Sequence, residues 1–120
     1  MSNLVGLMNK LKLVLFICLF VSTSVFAAPQ WCTGTITTLY QDAGGQLVVN
    51  GSWRGDHTVI CNVLAERDGI KSEVCKSWLS MIMTAYVAGK EVIVHYSDED
   101  SCAALPKYTA SPSPIYVMLK

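Results

Sequence analysis

From Trp31 onward the chain alternates polar and apolar residues with a period of two, then shifts to a helical period, then returns to two. In "WCTGTITTLY" the alternation puts Thr33, Thr35 and Thr37 on one face of a strand and Cys32, Gly34, Ile36, Thr38 and Tyr40 on the other. "QDAGG" signals a turn, and "QLVVNGSW" follows as a second short strand, interrupted by Asn50 and Gly51. After a turn at "RGD", the alternation of Val59, Cys61 and Val63 with Ile60, Asn62 and Leu64 gives a third strand. The period then changes. Cys75, Trp78, Leu79, Ile82, Ala85 and Tyr86 recur at three- and four-residue spacing, which predicts a helix with one face turned to a core. Ser72 is placed to cap it, Glu73 suits the positive end of its dipole, and Gly89 offers a left-handed stop. "EVIVHYS" is a fourth strand, "DEDSC" a charged turn, and "ALPKYTASPSP" an irregular stretch whose prolines break any ladder. "IYVML" ends the chain as a fifth strand.

Three strands, one helix and two strands is the order of the OB-fold, so a mainly β, five-stranded OB-like barrel with one helix (α+β, β-β-β-α-β-β) is expected.

The first 27 residues stand apart from this pattern. Lys10 and Lys12 precede the unbroken apolar run Leu13 to Val21, and Val25 and Ala27 are small residues at the −3 and −1 positions of a cleavage site. Nine apolar residues are too few to cross a bilayer, which takes about 20. Residues 1–27 therefore read as a cleaved signal peptide rather than a membrane anchor, which leaves residues 28–120 as a single secreted or periplasmic domain. That remainder holds seven Lys and Arg against nine Asp and Glu, so no basic face for nucleic acid or anionic lipid is expected.

Setting aside Cys18 leaves Cys32, Cys61, Cys75 and Cys102, an even set that reads as two disulfides in an exported chain. In the barrel topology the first and fourth strands run antiparallel, which favours pairing Cys32 with Cys102, and Cys61 with Cys75 at the start of the helix. No metal or other cofactor is expected, since no C-x-x-C spacing occurs, His57 and His95 lack a second ligand at helical spacing, and Asp98, Glu99 and Asp100 lack the alternation of a calcium loop. Hydrolase signals are missing too. Ser52 does not sit in a G-x-S-x-G, and Asp56 with His57 reads as a polar turn, so a non-enzymatic protein is expected. Trp31, Trp53, Tyr40, Tyr96, Tyr108 and Tyr116 fall on strands or loops, and such rings can stack on the C–H faces of sugars.

"WCTGTITTLY", "VIC" and "SWLSMIMTAYVAGKEVIVHY" resemble the B subunits of AB5 toxins of the subtilase-cytotoxin and typhoid-toxin kind, and small exported bacterial proteins that share the helix-strand block. The resemblance implies a homo-pentamer ring that binds host or cell-surface glycans. By position it assigns glycan contacts to Thr33, followed by Gly34, and to Tyr96. The chain departs from that family in having no cysteine on its second strand and in carrying Cys75 on its helix. The alternative function is an exported protein-binding or inhibitor module, which would use a free sheet edge or the "YTASPSP" segment as a polyproline-like contact.

Overall fold

The computed structural model describes residues 3–10, 24 and 26–120. Residues 3–10 are helical, and the apolar run Leu13 to Val21 lies outside the described residues. The strands are β1 (Ala28–Gly34), β2 (Ile36–Gln41), β3 (Gln46–Gly51), β4 (His57–Asn62), β5 (Val92–Glu99) and β6 (Tyr116–Leu119). Helix α1 spans Ser72–Ala88, and a single 3-10 turn spans Cys102–Ala104.

The expected five-stranded barrel is not what forms. Six strands make two three-stranded antiparallel sheets, β1-β5-β6 and β2-β3-β4, and the two are not closed into a barrel. Two local causes are visible. The long first strand is cut at Thr35, so that β1 joins one sheet and β2 the other. On the far side, the segment that runs beside β4 carries Pro106, Pro112 and Pro114, none of which has an N–H to give to a ladder. Only one parallel bridge forms there, between Thr58 and Tyr108. The Ser111 hydroxyl substitutes for further pairing, accepting from the Val59 N–H at 2.7 Å and donating to the Val59 carbonyl at 3.1 Å.

Both disulfides form with the expected pairing, Cys32 with Cys102 and Cys61 with Cys75. The antiparallel pairing of β1 with β5 sets Cys32 opposite Val94, and the 3-10 turn that carries Cys102 folds back against β1. Around these bridges lies the core. β1, β5 and β6 contribute Cys32, Val92, Val94, Tyr96 and Val117, while β2, β3 and β4 contribute Ile36, Leu47, Val49, Ile60 and Cys61. Helix α1 lays Cys75, Trp78, Ile82 and Ala85 across β2, β4 and β6, and so ties the two sheets together.

Local details refine the sequence reading. Lys71, in an extended conformation, is the N-cap of α1, and Ser72 is its first residue rather than its cap; no side chain caps this end. Gly89 ends the helix at φ 66°, the left-handed conformation that only glycine adopts without steric cost. Asn50 and Gly51 do not interrupt the second strand but lie within β3. Gly51 is needed there because the Trp53 ring lies on its backbone, and a Cβ would overlap that ring. A register shift between Ile36 and Thr38 reverses the alternation, so Leu39 packs on the core and Tyr40 turns outward.

Candidate functional site

The outer face of the β1-β5-β6 sheet carries a row of rings. The register sets Trp31 opposite His95 and His95 opposite Tyr116, so one residue from each strand meets across the sheet. Trp31 stacks on His95 with centroids 4.6 Å apart and planes 16° from parallel. His95 meets Tyr116 at 4.9 Å and 35°. The indole Nε1 of Trp31 donates to the Tyr116 hydroxyl at 2.8 Å, and His95 Nδ1 lies 3.0 Å from the Gln30 carbonyl oxygen. Each ring is therefore held by another ring and by a hydrogen bond. Trp31 is still 57% exposed, an unusual state for the largest apolar side chain.

Next to this row the register aligns Thr33, Ile93 and Met118, of which Thr33 and Met118 are exposed. Beyond them Lys120 pairs with Glu91 at 2.9 Å. The face thus passes from aromatic to mixed to charged within a few residues. It is shallow, and the described residues enclose no pocket.

The two residues assigned to glycan contact do not share a surface. Thr33 lies on the outer face beside Trp31. Tyr96 shares the parity of Val92 and Val94, points into the core and is 1% exposed. Burial pushes the Tyr96 phenol up in pKa, with the Glu99 charge adding to the shift. Among the described residues its hydroxyl has no hydrogen-bond partner. A ligand that touches Thr33 therefore meets Trp31, His95 and Tyr116 rather than Tyr96.

His95 was not singled out as a ring for stacking, although a signal was present. In "EVIVHYS" the alternation puts His95 with Ile93 and Tyr96 with Val92 and Val94, so only one of the two faces outward. One further hydroxyl of the threonine-bearing segment is engaged locally: Thr37 Oγ1 donates to the Asn50 carbonyl at 2.9 Å, while the Thr35 backbone N–H donates to Ser52 Oγ at 3.1 Å.

Asp56 and His57 do not make an acid-base pair through the imidazole. The Asp56 carboxylate accepts from the His57 backbone N–H at 2.8 Å and pairs with Lys107 at 2.8 Å. The hydrogen bond from Lys107, followed by that from the His57 N–H, holds the Asp56 carboxyl below its usual pKa. The His57 ring instead meets Tyr40 and Tyr108. Glu99 has its carboxyl raised in pKa, by partial burial first and then by its neighbours Asp100 and Asp98.

The proline-containing segment is anchored rather than free. The Arg67 guanidinium donates to the Ser111 carbonyl and to the Ser113 hydroxyl, each at 2.7 Å. Ser111 and Pro114 are buried.

No protein-family model, curated protein or solved structure matches the chain. Its function has to be read from the chemistry of its own surface.

Proposed function

We propose that the protein is an exported, non-enzymatic binding module that presents the outer face of the β1-β5-β6 sheet to a glycan. The observation that carries this reading is the exposed Trp31, stacked on His95 and bonded to Tyr116, with the Thr33 hydroxyl side chain in the adjoining row. A sugar ring presents a C–H face that stacks on an indole and hydroxyls that need directional partners, and a pre-ordered flat face supplies both at low entropic cost. Two disulfides suit an oxidising compartment outside the cytosol, which fits the signal-like residues 1–27. No helix among the described residues is long and apolar enough to cross a membrane.

The test compares two variants on immobilised glycans. Thr33→Phe fills the face next to Trp31 and is expected to lower the glycan signal at least tenfold with little change in melting temperature. Tyr96→Phe removes an unpartnered buried hydroxyl, and is expected to leave both the glycan signal and the stability within about 0.5 kcal/mol of the parent. The opposite pattern, loss with Tyr96→Phe and none with Thr33→Phe, contradicts the assignment of the face.

A shallow sugar site is weak alone, and the resemblance to ring-forming B subunits makes a homo-pentamer the assembly that supplies avidity. The surface open to a second copy is the unpaired edge of β6 with exposed Ile115, Met118 and Leu119, together with the exposed Met83 and Tyr86 of α1, the helix that packs on β6. Light scattering on the native protein is expected to give the mass of about five protomers, and a monomer removes the ring from the account.

The alternative, a module that binds a protein through "YTASPSP", is less favoured. That segment is pinned by Arg67 and Ser111 and is not free to dock as an extended polyproline peptide.

A further inference from the structure

Away from the Trp31 face, three rings converge from β2, from β4 across the intervening β3, and from the segment after Leu105. The His57 imidazole stacks on Tyr108 with centroids 5.5 Å apart and planes 3° from parallel. Tyr40 meets His57 at 5.7 Å with its ring tilted by 56°. Tyr40 and Tyr108 remain 38% and 49% exposed, so this cluster is an open surface rather than a buried knot.

Tyr108 sits at φ 48°, a left-handed backbone that a bulky residue adopts only where its surroundings impose it. Those surroundings are well defined. The Tyr108 N–H donates to the His57 carbonyl at 2.9 Å, and the Tyr108 carbonyl accepts from the Ser111 N–H at 3.1 Å. Arg67 then holds the Ser111 carbonyl at 2.7 Å. The protein therefore keeps an exposed tyrosine in a costly conformation and fixes it with a chain of polar contacts, although burying that ring more deeply would have been worth more to folding. A rigid, half-exposed aromatic ring is what a binding surface uses to limit the entropy lost on contact.

Beside the rings lies the pair of Asp56 and Lys107, 2.8 Å apart. Its hydrogen bonds keep Asp56 ionised, so it is an acceptor, and the Lys107 ammonium is a donor; together they carry no net charge. Aromatic faces next to a neutralised acceptor and donor pair match a ligand that is apolar on one face, rich in hydroxyls at its rim and uncharged.

We propose that Tyr40, His57 and Tyr108, with Asp56 and Lys107, form a second, shallow subsite that takes one neutral sugar ring, stacked on Tyr108 with its hydroxyls at the Asp56 and Lys107 pair. The proposal shares the ligand class of the glycan reading above but not its residues, so either can fail without the other.

The experiment follows the aromatic NMR signals of the purified, oxidised protein during titration with galactose, glucose and N-acetylglucosamine at millimolar concentrations. At least one sugar is expected to move the Tyr40, His57 and Tyr108 signals. Tyr108→Ala is expected to weaken that response about tenfold, the worth of one stacking contact. Lys107→Met, which leaves the pinned segment intact, is expected to weaken it several-fold. Movement of these signals with no movement at Trp31 supports the second subsite and counts against the first. If no sugar moves them, or if the shifts persist unchanged in both variants, the proposal is overturned whatever happens at Trp31.

Discussion

Replacing Cys32 and Cys102 together by alanine is expected to lower the stability of the domain by about 4 kcal/mol, more than any other change to its covalent frame. The two cysteines are 70 residues apart, so the bridge restricts nearly the whole folded body in the denatured state. The Cys61–Cys75 bridge closes a span of 14 residues, and its loss is expected to cost about 3 kcal/mol on the same loop-entropy argument. A domain of this size has about 5–15 kcal/mol in all, and the lower end applies to small ones, so the first variant should be largely unfolded at physiological temperature. The functional consequence is direct. Cys32 lies between Trp31 and Thr33 on β1, and loosening it frees the two outward residues from their register against His95 and Ile93. Denaturant titrations of both double variants check the order: the midpoint should fall further without Cys32–Cys102 than without Cys61–Cys75. Equal or reversed losses would show that the denatured chain is not limited by these loops.

Trp78→Ala is expected to cost about 4 kcal/mol, in the range for removing a large buried aromatic side chain. Trp78 is 7% exposed and sits on the face of α1 that packs across β2, β4 and β6. The helix packs on strands of both sheets over their shared core, so a cavity at Trp78 loosens both. Val87 is 84% exposed on the opposite side, and Val87→Ala should stay within about 0.5 kcal/mol in the same denaturant titration. A loss under about 1 kcal/mol for Trp78→Ala would mean that the helix is dispensable to the core.

Much of this was readable in the amino-acid order because local periodicity controlled the outcome. Cys75, Trp78, Ile82 and Ala85 recur at helical spacing and all are buried, and Gly89 stops the helix where its backbone freedom is needed. The disulfide pairing was favoured on the expected barrel topology, and it holds in the open arrangement because β1 still runs antiparallel to β5. What periodicity does not encode is where a continuous strand changes partners. The break at Thr35 and the shift after Ile36 leave the residue pattern of "WCTGTITTLY" almost unmarked, yet they divide one strand between two sheets and turn Tyr40 outward. Closure depended on whether the proline-containing segment could pair with β4, and Ser111 supplies by its side chain what Pro112 and Pro114 cannot supply by their backbone.

The candidate site shows the same division. That Thr33 faces outward is legible from alternation with the buried Cys32 and Gly34. That Tyr96 shares a face with Val94 was legible from parity, but which face turns inward was not, because Ile93 on the other parity is equally apolar. The meeting of Trp31, His95 and Tyr116 joins residues up to 85 positions apart, and it exists only once the register of three strands is known.

The measurement that bears most directly on the account is binding of the oxidised protein to an array of host-type and bacterial glycans, run in parallel with Trp31→Ala. Trp31 is exposed, but its ring stacks on His95 and bonds to Tyr116, so its loss should lower the melting temperature by several degrees while leaving the domain folded. The account predicts a glycan signal for the parent protein that falls at least tenfold in Trp31→Ala. A parent protein that binds no glycan, or a signal that survives the loss of Trp31 intact, would contradict it.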